Sequence, residues 1–378
     1  MKQGWEIKSL GEIADVEYGF TDKSTEEGNY RYVRITDINS NGELISTEKK
    51  YLKHSKEAEG FLIRDNDLLM ARTGATFAKV LLYEDIEPSV FASYLIRIKF
   101  REKIENKLYW YFTKTNSYWE QANSLASGAA QPHFNGAAVK QVIFSYPKSL
   151  SEQQRIVGIL DEAFTAIAKA NANAEQNLRN AKQLFESYLQ GVFENKGEGW
   201  EEKRFDEICV LQRGFDLPTH SRNEGIFPLV SSNGITDRID LWKVKAPGVV
   251  TGRSGTIGNV HFIIEDYWPL NTALFIKEFH GNDEKFVYYF LKQFNLGKYS
   301  SGAGVPTLNR NNVHSEKVWV PISNKVQHSI VQKLDRILIK TRKLEGIYEQ
   351  KISDLEDLKK SILQKAFSGE LKMDKQLA

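Results

Sequence analysis

The sequence predicts an α+β chain in which two β-rich domains are separated by two long antiparallel α-helices forming a coiled coil, with a pseudo-two-fold internal repeat. Three observations predict it. The two halves of the chain repeat one another; the rear of each half carries one long helical stripe; and the front of each half is a series of short apolar runs divided by Gly, Asn and Asp.

The repeat is read directly from the residues. GWEIKSLGEIADVEYGF (4–20) and GWEEKRFDEICVLQRGF (199–215) match at eight of 17 positions, with an offset of 195. SGAAQPHFN (127–135) aligns with SGAGVPTLN (301–309) at an offset of 174, which holds without a gap to Asn195 with 21 of 69 positions identical. The first copy is therefore 21 residues longer, and the excess lies between positions 20 and 127. Inside the front parts, Arg72-Thr73-Gly74 corresponds to Arg253-Ser254-Gly255. Units of about 180 residues are long enough to hold a core each.

In the first front part, strands are expected in YRYVRITDI (30–38), DLLMA (67–71), KVLLYE (79–84) and SYLIRIKF (93–100), with one amphipathic helix over Ile104–Leu125. In the second they are expected in FPLV (227–230), GVVTG (248–252), NVHFIIE (259–265) and TALFIKEF (272–279), with a helix near Asp283–Phe294. Pro147 and Pro321 mark the exits into the long helices at matching places.

From Ser151 the chain runs to Asn195 without a proline, and Ser151 with Gln154 has the spacing of a capping box. Leu160, Phe164, Ile167, Asn171, Ala174, Leu178, Ala181, Phe185, Tyr188 and Val192 alternate steps of four and three, the seam of a coiled coil. Ile330, Leu334, Ile337, Thr341, Leu344, Tyr348, Ile352, Leu355 and Ile362 repeat the stripe, with Gly346 as an interruption. The segments are thus 1–150 and 199–323 for the front domains, 151–198 for the first long helix, and 324–378 for the second with its tail. An antiparallel helix pair gives approximate two-fold symmetry within one chain.

Composition excludes several classes. Of 378 residues, 41% are hydrophobic and 26% charged, so the chain is neither mainly disordered nor collagen-like. No apolar run reaches 18 residues, and Met1–Glu6 has no apolar leader core, so a cytoplasmic protein without membrane contact is expected. The lone Cys209 forbids an internal disulfide or a multi-cysteine zinc site. Net charge is +2, and each front segment is neutral, so any basic patch must be made by geometry.

Catalytic motifs are missing. There is no phosphate loop, no H-E-x-x-H helix and no N/D-P-P-Y/F sequence of amino-methyltransferases. Gly252, Gly255 and Gly258 read as strand-end turns, His133 faces Thr307 in the repeat, and Cys209 faces Ala14 as a small buried position. Asp65/Asp67 and Asp283/Glu284 read as solvated turns. No catalytic residue and no metal ligand is assigned. Two β-rich domains on a stiff spacer, with no reaction centre, predict a recognition device.

The ordered motifs carry a resemblance. G-W-x-x-K-x-x-x-E-I opens each copy, followed by Y-G-F or R-G-F and by R-T-G or R-S-G. A strand ending in Pro147 or Pro321 leads to Q-x-x-I-V-x-x-L-D (Gln153–Asp161, Gln327–Asp335) and a closing S-x-L-Q-x-x-F (Ser187–Phe193, Ser361–Phe367). Over nearly its whole length the chain resembles the specificity subunit of a type I DNA restriction–modification enzyme. The resemblance implies that each front part is a target recognition domain reading one half of a split DNA sequence. It implies that the helices dock two methyltransferase subunits and, through them, restriction subunits. S-adenosylmethionine, ATP and Mg would belong to those partners and none to this chain. A non-DNA coiled-coil adaptor joining two protein-binding modules is the rival class.

Under that resemblance, readers on a duplex one helical turn (about 34 Å) apart need a stiff spacer, and unlike front domains predict an asymmetric site. Arg72, Thr73, Arg253 and Ser254, in turns after strands, are candidate phosphate contacts. Arg34, Lys79, Arg213, Asn233 and Arg310 are candidate base or phosphate readers, since Arg favours guanine and Asn adenine. Tyr18, Phe20 and Phe215 read as turn packing. Ile156, Phe193, Ile330 and Phe367 are candidate partner contacts on the helices.

Overall fold

Both copies fold on one strand order. The computed structural model describes residues 3–39, 41–45, 48–128, 132–302 and 306–371. It divides into two units, Met1–Asn173 with Lys351–Ala378, and Ala174–Gln350. In the first unit an antiparallel sheet runs Ala14–Tyr18, Leu95–Phe100, Leu68–Ala71, Val80–Leu82. In the second unit the corresponding order is Val210–Arg213, Ala273–Glu278, Gly248–Gly252, Val260–Ile263. A three-stranded sheet accompanies each: Tyr30–Val33 lies antiparallel to Tyr51–Leu52 and parallel to Ser89–Phe91. Its counterpart Glu224–Ser231 lies antiparallel to Gly234–Ile239 and parallel to Trp268–Pro269. The α+β class and the internal repeat are therefore observed.

A two-stranded ribbon closes each front domain, pairing Trp5–Ser9 with Ile143–Pro147 and Trp200–Arg204 with Lys317–Pro321. The first strand of each ribbon is not legible as a strand, because WEIKS is half-buried, WEEKR is largely exposed, and both find their partner more than a hundred residues later. The ribbon explains the matched G-W. Gly4 and Gly199 sit at φ +82° and +80°, a left-handed turn that favours glycine. The carbonyl oxygens of both accept from the residue after the proline, Lys148 N (2.9 Å) and Ile322 N (3.2 Å).

The long helices span Leu150–Glu194 and Asn324–Ser368, 45 residues each. Each contributes to both units. The first unit's core takes Ile156, Val157 and Leu160 from the start of one helix and Leu363 and Ala366 from the end of the other. The second unit's core takes Val331 and Leu334 from the start of one and Phe185, Leu189 and Phe193 from the end of the other. Within each unit the helices run antiparallel, start beside end. Every member of the first seam is buried or half-buried.

Gln153 and Gln327 clamp strand exit, front domain and helix together. Both are 0% exposed. Gln153 Nε2 donates to Pro147 O (2.8 Å), and its Oε1 accepts from Glu105 N (2.8 Å). Gln327 Nε2 donates to Pro321 O (2.9 Å), and its Oε1 accepts from Asp283 N (2.9 Å). One step down the helix, Tyr111 donates to Asp161 (2.6 Å) and Tyr289 to Asp335 (2.5 Å). Burial, reinforced by that carboxylate, pushes both phenols up from their ordinary range.

Three local expectations are corrected. The helix expected over Ile104–Leu125 is two, Asn106–Phe112 and Asn116–Leu125. Thr113 and Thr115 side chains donate to Trp110 O and Phe112 O, and Thr115 caps the second helix, so threonine hydroxyls break the run. The first long helix starts at Leu150, which leaves Ser151 inside the first turn rather than at its cap. The second helix runs unbroken through Gly346, so the glycine marks a gap in the stripe and not in the helix. Leu344 is 37% exposed and leaves the seam, as a helix of 3.6 residues per turn drifts about 20° per heptad.

Candidate nucleic-acid interface

The matched turns are scaffold. An added Cβ at Gly19 would stand 2.3 Å from Ala92 O, and at Gly214 2.2 Å from Leu270 O. Only glycine lets the end of the first sheet strand approach this backbone. Phe20 N then donates to Phe91 O (2.9 Å) and Phe215 N to Pro269 O (2.8 Å). The Arg-Thr/Ser-Gly turn lies alongside, and its arginine is bonded through the backbone in the same way in both copies. Arg72 N donates to Tyr94 O (3.0 Å) and Arg253 N to Thr272 O (2.9 Å). Arg72 O accepts from Phe134 N and Arg253 O from Leu308 N, both at 2.8 Å. His133 and Thr307 occupy one bridge position, opposite Thr73 and Ser254.

Side chains on this shared frame differ. In the first copy the Arg72 guanidinium lies over two rings, 5.3 Å from the centroid of Tyr18 and 5.1 Å from that of Tyr94. In the second copy Arg213 stands where the first has Tyr18, and it pairs with Asp216 (3.2 Å). Asn271 Nδ2 donates to the same carboxylate, and Asn271 O accepts from Arg253 Nη1 (3.3 Å). One turn presents a cation on aromatic faces; the other presents two cations tied by a carboxylate and an amide. Sequence reasoning missed Tyr94 and Asn271 because neither lies in a matched motif and both reach the turn only across the sheet.

The remaining candidates fall in different settings. Arg34 is bound through Nε and Nη2 to Asp37 (3.2 and 2.7 Å) and donates to Glu48 O. Thr73 is 4% exposed, which sets its hydroxyl back from the surface of the turn. Ser254 is half-buried in the matching turn. Lys79 is half-buried and makes no ion pair among the described residues. Asn233 is exposed in the turn between Glu224–Ser231 and Gly234–Ile239, its Oδ1 accepting from Thr256 (2.7 Å). Arg310 opens a short helix and donates to Leu211 O (3.4 Å). The helix candidates lie at the two cores. Ile156 and Phe193 are buried in the two cores, and Ile330 and Phe367 pack against them, because each covers a front domain of this chain.

Acidic groups serve structure. Asp67 holds Arg97 (3.1 Å), and Asp283 caps the helix Glu284–Gln293 and pairs with His328 (2.7 Å). Cys209 is buried, which pushes its thiol far up from its ordinary range. Among the described residues no cluster of three His, Cys, Asp or Glu could hold a metal ion, and no helix is long and apolar enough to cross a membrane.

The sequence model of the family described as type I restriction modification DNA specificity domain matches residues 2–177 and 197–353, one match per copy. The chain belongs to that family. This specificity subunit is similar to the type I restriction enzyme EcoBI specificity subunit of Escherichia coli, at 23% identity over 97% of this chain and 86% of that one. It is similar to the MjaIX specificity subunit of Methanocaldococcus jannaschii, at 22% identity over 98% and 94%. Its fold is shared with a structure solved for complex assembly and conformational transition of the type I R-M system (TM-score 0.80, 18% identity, 98% and 99% covered). The HsdS subunit from Thermoanaerobacter tengcongensis shares it too (TM-score 0.66, 18% identity, 98% of both chains). The specificity subunit reading thus holds over the adaptor reading.

Proposed function

We propose that this specificity subunit reads a split, asymmetric DNA site, one half per front domain, and docks two methyltransferase subunits that carry restriction subunits in turn. The observation that supports it best is the shared turn with unlike side chains, Tyr18–Arg72–Tyr94 against Arg213–Arg253–Asn271. A common backbone can meet the same duplex geometry twice, and different side chains demand different bases. Exposed Arg, Lys and Asn side chains supply the contacts despite a neutral composition. The chain itself carries out no chemistry; S-adenosylmethionine, ATP and Mg are assigned to partner subunits, and the complex to the cytoplasm. Exposed apolar side chains outside the cores, Leu344 and Ile347, replace the buried helix residues as candidates for methyltransferase contact.

Sequencing of methylated adenine in cells with and without the chain, the methyltransferase present, tests the reading. Methylation at one split asymmetric motif is expected to vanish with the chain. A methylome that does not change would overturn it and favour the adaptor.

A further inference from the structure

We propose that Arg72 reads a guanine in the half-site of the first front domain, and that Tyr18 and Tyr94 are its positioning residues. The inference deepens the DNA-reading function proposed above and rests on it. Arg72 follows the strand Leu68–Ala71, and its backbone is fixed at both ends, N to Tyr94 O and O from Phe134 N. Its side chain leaves the end of an interior strand, paired on both sides, rather than a free loop. The two rings then hold the guanidinium by stacking, at 5.3 and 5.1 Å, without using its N–H groups. Among the described residues the Arg72 fork meets no carboxylate and no carbonyl. Arg34, by contrast, spends Nε and Nη2 on Asp37, and Arg213 spends Nη2 on Asp216.

Exposure points the same way. Tyr18 and Tyr94 are 42% and 52% exposed, large values for aromatic residues next to a packed sheet. Tyr18 is itself anchored, because its Oη accepts from Gly136 N (2.8 Å). Two wet rings and a bare planar fork form a surface that a ligand with two adjacent acceptors would complete. Guanine O6 and N7 present such a pair in the major groove. A phosphate presents one too, but the duplex backbone is the same at both half-sites and gives no reason for the second copy to change this environment. The second copy keeps the arginine, as Arg253, but replaces Tyr18 by Arg213 and Tyr94 by Thr272 on the same backbone, so what differs between the copies is the setting that aims the fork.

The test uses the assembled methyltransferase complex with this chain and DNA libraries randomised in each half-site, read out as the sequences methylated. Wild type is expected to demand guanine at one position of one half-site. Arg72→Gln should lose about ten- to a hundredfold of discrimination at that position alone, the range of one bidentate base contact. Tyr94→Ala should lose part of it, and Tyr94→Phe, which keeps the ring, should restore it. Unchanged demands in the other half-site show that each variant is folded and assembled. If Arg72→Gln lowers methylation uniformly with every base preference intact, Arg72 is a phosphate or scaffold contact and the proposal fails. If Tyr94→Ala and Tyr94→Phe behave alike, the positioning role fails. A wild-type complex without any split motif would instead overturn the function on which the inference rests.

Discussion

Replacing Gln153 by Leu should unfold the first unit early. The side chain is fully buried, and it satisfies Pro147 O and Glu105 N at 2.8 Å each, with a longer bond to Lys103 O at 3.3 Å. Leu fills nearly the same volume, so a cavity contributes little. What is lost is pairing for two backbone groups, one in a buried bond and one in a part-buried bond. Each orphaned group costs about 1–3 kcal/mol, offset in part because Leu needs no desolvation, so the net loss is about 3 kcal/mol. For a unit of roughly 200 residues that corresponds to a fall in Tm of about 6–12 °C. Gln327→Leu should cost the second unit as much, since Gln327 bonds Pro321 O, Asp283 N and Asn282 Oδ1 at 2.7–2.9 Å. Thermal unfolding combined with native-state hydrogen exchange assigns each loss to its unit. If both variants stay within about 0.5 kcal/mol of wild type, the clamp is not what these matched glutamines do.

Further outcomes follow from single positions. Gly346→Ala should stabilise by about 1 kcal/mol in urea titration, because the glycine lies mid-helix with nothing within 4 Å of an added Cβ. Gly19→Ala and Gly214→Ala should each destabilise by about 2 kcal/mol or more on the same titration, since the new carbon meets backbone oxygen at 2.3 and 2.2 Å. His314 Nε2 accepts from Leu211 N (3.0 Å), and burial holds its pKa below the usual imidazole value. A depressed histidine binds more protons unfolded, so the second unit should lose stability as pH falls below about 6.5 in denaturation series, and His314→Gln should flatten that slope. Arg253→Ala should weaken DNA binding in a gel-shift titration at fixed salt while methyltransferase assembly is kept; unchanged affinity would remove it as a contact.

The duplication was legible because its matched residues are those the fold cannot exchange. Gly4/Gly199 need a left-handed turn, Gly19/Gly214 face backbone oxygen, and Gln153/Gln327 are fully buried. Such positions tolerate one residue type and so survive in both copies. The long helices were legible because a stripe over 45 residues admits no other period. Less was legible where the decisive partner is remote. Trp5–Ser9 becomes a strand only through Ile143–Pro147, and Thr113 and Thr115 break a helix through bonds that propensity does not weigh. The candidate site was half legible. The Arg-Thr/Ser-Gly turns lie where expected, but whether an arginine fork is bare, as at Arg72, or engaged, as at Arg34, depends on neighbours assembled by the sheet. The same holds for Ile156 and Phe193, apolar positions off the seam that cover a front domain.

The division of each helix between two cores has a consequence for synthesis. The second unit, Ala174–Gln350, is continuous in sequence, whereas the first needs Leu363 and Ala366 to cover Leu160 and its neighbours. On the ribosome the front domain made first is therefore finished last. At roughly 5–20 residues per second, its apolar helix face waits about 10–40 s for those residues to emerge. Once Gln350 has emerged the second unit is complete while the first still waits for Leu363 and Ala366, so the step most exposed to aggregation or to capture by a chaperone falls on the older part of the chain.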